Sequence, residues 1–221
     1  AQAQDVLDVK QFSPKELEMM WAQFGKNAGW EAINRDVASK KFQRIKHEKA
    51  MWGFKGKVKN AKGESEEVTF CSFDFYNPNS KAGQGCSMIW RQVGKQVYKA
   101  YLIFPEGEKD MGKALEASLE WFADDDGKLQ KASSWGRCFR KCVRGKEAVI
   151  ADVNGAKFTV PANCGTGCLG SIVVCGGVTA ILAAATSPGA PVSFPALAIF
   201  FGICAGASCG TCFFGCALGC M

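Results

Sequence analysis

Val68-Thr69-Phe70-Cys71-Ser72-Phe73-Asp74-Phe75-Tyr76 steps between apolar and polar side chains with a period of two, the pattern of a β-strand with one buried face. The stretches 87–93 and 96–104 repeat it. Asn77-Pro78-Asn79 and Gly94-Lys95 lie between the three stretches and carry the residue types that reverse a chain. Three strands joined by turns predict an antiparallel meander.

Upstream, Ser13-Pro14-Lys15-Glu16 is a helix start: Ser caps, Pro occupies the first helical position, and Glu stands three after the cap. Leu17, Met20, Trp21 and Phe24 recur at helical spacing and Gly25 ends the run. A second helix is expected from Glu31 to Lys49, anchored by Ile33, Val37 and Ile45. Downstream, Asp110 to Phe122 places Met111, Leu115, Leu119 and Phe122 on one helical face, and Ser134 to Val143 reads as another short helix. Ala148 to Val153, Asn154-Gly155 and Ala156 to Val160 carry a hairpin signal. No internal repeat appears. Residues 1–160 therefore read as an α+β domain of ordinary size.

Chemistry is sparse in this part. The sequence holds no nucleophile elbow, phosphate loop, His-Glu-x-x-His or dinucleotide glycine pattern. The one histidine, His47, sits among Lys46, Glu48 and Lys49, a solvated position. Asp124-Asp125-Asp126-Gly127 lacks the alternating ligands and closing glutamate of a calcium loop and reads as an exposed turn. Cys138 and Cys142 have no histidine near them in sequence. The expectation is a protein that is not an enzyme, without catalytic residues, cofactor, metal or small-molecule substrate.

Residues 40–62 are the one strongly charged stretch: Lys40, Lys41, Arg44, Lys46, Lys49, Lys55, Lys57, Lys59 and Lys62, with Glu48 the sole acid and Phe42, Trp52 and Phe54 interleaved. Such a segment can face anionic lipid headgroups or nucleic acid, both of which present dense phosphate. A solvated helix plus a lysine-guarded edge strand explains it equally well. Of the two polyanions the membrane surface is favoured, and nucleic acid is disfavoured as a partner.

The far end of the chain is different. The 221 residues carry 27 Lys+Arg and 21 Asp+Glu, for a net charge of +6. The last basic residue is Lys157 and the last acidic one Asp152, so Phe158 to Met221, 64 residues, has no charge. Two apolar arms, Leu169 to Thr186 and Pro195 to Leu218, flank the breaker-rich Ser187 to Pro195. Each arm is long enough to cross a bilayer as a helix, so residues 161–221 are expected to form a hairpin of apolar helices. A buried core hairpin is the competing reading.

Eight of the twelve cysteines fall in this stretch. Cys164, Cys168 and Cys175 are spaced by four and seven, and Cys209, Cys212, Cys216 and Cys220 by three, four and four, so each set shares one helical face. With Cys204, and with Cys138 and Cys142 on the preceding helix, five cysteines stand before the central turn and five after it. Cys71 and Cys86 remain, in adjacent predicted strands, and are expected to pair with each other. Staples extending back to residue 138 would lock the module, with connectivity left open. Zinc is disfavoured, because there is one histidine and one Cys-x-x-Cys pair, Cys209 and Cys212. Disulfides imply an oxidising compartment. The small-residue start Ala1-Gln2-Ala3-Gln4 reads as the new N-terminus left by a signal-peptidase cut. A secreted, extracellular protein is expected.

Cys164-x-x-x-Cys168, then Cys175, a Gly/Ala/Val-rich stretch, a proline-bearing turn and a closing cysteine series resemble the cysteine-rich halocin-type bacteriocin domain. The resemblance covers at most residues 138–221. It implies that the C-terminal peptide is released and kills related cells, while the N-terminal part is a carrier that protects the producer. Two functions are compatible with these features. One is a secreted bacteriocin-like protein whose tail acts on anionic membranes. The other is an extracellular self-assembling subunit, a filament or coat protein, whose apolar tail is buried between copies of itself.

Overall fold

The Ser13 cap forms as its spacing requires. The Ser13 hydroxyl accepts the Glu16 backbone N–H at 3.3 Å, and Glu16 Oε2 accepts the Ser13 N–H at 2.8 Å, closing a reciprocal capping box. These bonds hold the Glu16 carboxyl below its ordinary range. The computed structural model describes residues 7–59, 63–108, 117–132, 149–153 and 156–160. Helix α1 runs Pro14–Phe24, and α2 runs Ala28–Ser39 behind Asn27, whose Oδ1 accepts the Trp30 N–H at 3.1 Å.

Strands β1 (Leu7–Gln11), β2 (Gln43–Arg44), β3 (Met51–Lys59), β4 (Ser65–Tyr76), β5 (Gly85–Val93), β6 (Gln96–Ile103), β7 (Leu119–Ala123) and β8 (Leu129–Ala132) form one antiparallel sheet. Its order is β1-β3-β4-β5-β6-β7-β8, with β2 paired to the end of β4 beside β3. The meander β4-β5-β6 lies where the period-two stretches place it, and Gly94 takes φ +54° in the two-residue turn between β5 and β6, a conformation glycine adopts without steric cost. A separate two-stranded hairpin joins β9 (Val149–Val153) to β10 (Ala156–Val160).

The α+β domain expected over residues 1–160 is not what the described residues form. The described part is an eight-stranded antiparallel sheet carrying two helices, mostly sheet. The expected hairpin over 161–221 lies outside the described residues, as does the helix expected over 134–143. Two further elements differ. The second helix stops at Ser39, because Lys41 takes φ +68° and reverses the chain; Phe42 and Ile45 are buried from the turn and from the segment after β2, not from a helix face. Leu119–Ala123 is a strand, not the end of a helix: Trp121 and Ala123 pair with Tyr101 and Lys99 on one face, Glu120 and Phe122 with Leu102 and Ala100 on the other. The upstream part of that expected helix, residues 110–116, lies outside the described residues; its four-residue spacing of Met111, Leu115 and Leu119 carries on into this strand.

Both helices pack on one face of the sheet. Leu17, Phe24, Trp30, Ile33 and Val37 meet Cys71, Phe73, Phe75, Met88, Trp90 and Tyr101. Phe24 stacks on Trp90 at 4.0 Å between centroids, and Trp30 meets Phe73 edge-on at 6.0 Å; such pairs add about 0.5–1.5 kcal/mol each beyond the area they bury. The other face is buried as well. Phe70, Ser72, Asp74, Ser87, Ile89, Ala100, Leu102 and Glu120 are each no more than 4% exposed, although α1 and α2 lie on the opposite side.

Candidate functional site

The cysteines that the structure describes are thiols. Cys71 and Cys86 are free and buried, which corrects their expected pairing. Cys71 stands opposite Trp90, and Cys86 opposite Phe75, so four residues of strand, about 13 Å at ~3.3 Å per residue, separate them along the sheet. A disulfide spans Cα atoms about 4.4–6.8 Å apart. The two strands are neighbours, as their turn signals imply, but the register between them is not legible in the sequence. Burial pushes both thiols up and away from the reactive thiolate form. Cys138, Cys142, Cys164, Cys168, Cys175, Cys204, Cys209, Cys212, Cys216 and Cys220 lie outside the described residues.

The described members of the basic stretch are spread over several elements. Lys40 closes α2, and its ammonium pairs with Asp36 at 2.5 Å while lying over the rings of Tyr101 and Trp121. Lys41 is exposed at the reversal after α2. Arg44 covers the Trp21 ring at 4.2 Å and pairs with Glu18 at 2.8 Å. Lys46 is exposed at the mouth of a cleft of about 530 Å³ that Trp21, Arg44, His47 and Met51 also line. On β3, Lys55 lies over the Phe12 ring and Lys57 pairs with Asp8 at 3.3 Å. Lys49 and Lys59 are described as backbone only, and Lys62 lies outside the described residues. Asp36, Glu18 and Asp8 all come from outside the 40–62 window, so acids distant in sequence offset its charge in space. The surface pairs themselves add little stability.

Several buried polar groups carry no signal in the sequence reading. The Tyr101 hydroxyl donates to Asp36 Oδ2 at 2.5 Å, joining β6 to α2 across 65 residues. Burial pushes the Asp36 carboxyl up, but the hydrogen bonds from Lys40 and Tyr101 outweigh it and leave it below its ordinary value. Lys99, 1% exposed, runs its stem over Gly29 and places its ammonium on Asp125. A Cβ on Gly29 would sit 2.3 Å from Lys99 Cε and 2.5 Å from the Asp124 carbonyl oxygen, so only glycine admits this crossing. On the face away from the helices, the Ser87 hydroxyl donates to Asp74 at 2.5 Å and the Tyr98 hydroxyl to Glu120 Oε1 at 2.9 Å. Burial pulls the Arg91 guanidinium of that face down to about 10. The signal that could have found them is density: Met88-Ile89-Trp90 is apolar on successive residues, which marks a strand covered on both faces, so that its polar neighbours are buried too.

The described residues bring no three His, Cys, Asp or Glu side chains together as a metal site. Their chemistry is that of a rigid sheet with polar groups held inside it and two open clefts at its margins. No protein-family model, curated protein or solved structure matches the chain.

Proposed function

We propose that the chain is a secreted bacteriocin-like protein, in which the uncharged, cysteine-rich stretch after Lys157 acts on membranes and the sheet domain is its carrier or immunity part. The observation that carries this reading is segregation. All 48 charged residues precede Phe158, and eight cysteines lie among the 64 uncharged residues from there to Met221. Apolar surface of that extent must be covered by lipid or protein, and disulfides would hold a short segment of this kind together in an oxidising compartment. A carrier fits the sheet domain: its own core is closed around aromatic side chains, and its two described thiols are buried and unreactive. Among the described residues no helix is long and apolar enough to cross a membrane, so the membrane activity is assigned to the C-terminal stretch.

The test is leakage from phosphatidylglycerol vesicles, measured with the oxidised C-terminal peptide beside its reduced form, and non-reducing mass spectrometry of the native product. Leakage that requires the disulfides, together with a released peptide, supports the reading. Absence of leakage, with large disulfide-linked polymers of the intact chain, overturns it in favour of an extracellular self-assembling subunit whose apolar stretch is buried between copies.

A further inference from the structure

The face of the sheet turned away from α1 and α2 is closed by something that the helices do not supply. Register sets Ser72 beside Ile89 and Ile89 beside Ala100; in the next row it sets Asp74 beside Ser87 and Ser87 beside Leu102. None of these six is more than 1% exposed, and none belongs to the cluster under the helices. The burial reaches outward to Phe54 on β3 and to Glu120 on β7, each 3% exposed. It therefore spans five adjacent strands, about 19 Å at ~4.8 Å per strand. A sheet face open to water would leave Ile89 and Leu102 accessible, so a second layer of chain lies on it.

Three stretches of eight residues or more lie outside the described residues, and charge separates them. Residues 109–116 carry Lys109, Asp110, Lys113 and Glu116, and residues 133–148 carry five Lys or Arg and Glu147. Residues 161–221 carry no charge. Taking ions out of water onto a largely apolar face is costly. The two acids of this face already accept hydrogen bonds from neutral groups, Asp74 from the Ser87 hydroxyl and Glu120 from the Tyr98 hydroxyl. Length decides the same way. One segment is about 10–12 Å wide even as a helix, little more than half of the buried width, so the cover has to cross the face at least twice. We infer that residues 161–221 are seated on this face and complete the core of the sheet domain. Their apolar surface needs cover as much as the face does. Among the described residues the Ser72 hydroxyl finds no hydrogen-bond partner, and a stretch whose polar groups are backbone amides, hydroxyls and thiols supplies a neutral one. The inference goes beyond the proposed function: the seat exists whether or not the stretch acts on membranes, and vesicle leakage does not bear on it.

Methyl NMR on the full-length oxidised chain in detergent-free buffer tests the seat. With Ile, Leu and Val methyls ¹³C-labelled in a deuterated background, NOEs are expected from Ile89 and Leu102 to methyls beyond residue 160, such as those of Ile172, Ile181, Leu197 and Ile199. A sample mixing two differently labelled copies should show none of these between copies, which separates a seat within one chain from contact with a second. Contacts from Ile89 and Leu102 only to Leu115 or Val143 would assign the cover to the charged stretches and overturn the proposal. Contacts that appear between copies, or methyls with no neighbour beyond the sheet, overturn it as well.

Discussion

The two faces of this sheet are buried to the same degree and built from different chemistry. Under the helices, Phe73 is surrounded by Trp21, Phe24 and Trp30, with ring centroids 5.0–6.3 Å away; polar side chains enter at the margin through Asp36, Tyr101 and Lys99, and the Arg44 guanidinium lies over the Phe73 ring at 5.3 Å. On the opposite face, Asp74, Ser87, Arg91 and Glu120 stand among Phe70, Ile89 and Leu102. The first face is a packing problem, solved by shape. The second is a satisfaction problem, in which each polar group needs a partner and the loss of one partner leaves the other exposed to the full desolvation cost. Mutations should separate the two.

The largest effect is expected under the helices. Phe73→Ala removes a ring that touches three aromatic neighbours at a position with 0% exposure, and should cost about 3–5 kcal/mol in urea unfolding. A cost below about 1 kcal/mol would mean that the helices do not pack as a unit on this face. On the other face, Ser87→Ala removes only one oxygen, yet it strips Asp74 of a buried donor. A loss of about 1.5–3 kcal/mol is expected, far more than the area removed would suggest. If the variant is neutral, the contrast between the faces fails.

Gly29→Ala probes the margin, where the Lys99 stem crosses α2. Crowding of that kind costs about 1–3 kcal/mol. Combining it with Lys99→Ala, which vacates the Lys99 stem but leaves the Asp124 carbonyl oxygen 2.5 Å from the new Cβ, should make the double variant more stable than the sum of the two losses without restoring the wild type; simple additivity would place the strain at the Asp124 carbonyl and not at the Lys99 crossing. The smallest effect concerns pH. Asp36 ionises more readily folded than unfolded, so its contribution is fully present above its unfolded value, 3.8, and is lost as pH falls through the lower folded value. The wild-type advantage in thermal midpoint over Asp36→Asn should therefore be constant at neutral pH and vanish at the acid end. An advantage that persists there would assign it to packing instead of charge.

Much of the sheet was legible because its signals are local. The period-two stretch at 68–76, the turn at Gly94-Lys95 and the capping box at Ser13 each need only a few consecutive residues, and each is where the residues place it. The differences arise where a local pattern fits two structures. Ile33, Val37 and Ile45 suit one long helix until Lys41 turns left-handed, and Leu119 continues a helical spacing while belonging to a strand. The candidate sites were less legible still. Basic residues adjacent in sequence become separate pairs with Asp36, Glu18 and Asp8, while Arg91 is buried in a strand with no motif around it.

By itself the sequence determined what short-range geometry controls: the cap of α1, the meander β4-β5-β6, and the division between a charged part and 64 uncharged residues. Strand alternation also determined which side chains share a face. Whether a face meets solvent is not encoded in that period, and Ser72 and Asp74 occupy alternate positions that are 0% and 1% exposed. Only the tertiary structure decided the register that keeps Cys71 and Cys86 four residues apart, the crossing of Lys99 over Gly29, and the bond from Tyr101 to Asp36. Each of these depends on the closing of long loops between distant residues, and a loop's closure is set by everything packed around it, not by the residues at its ends.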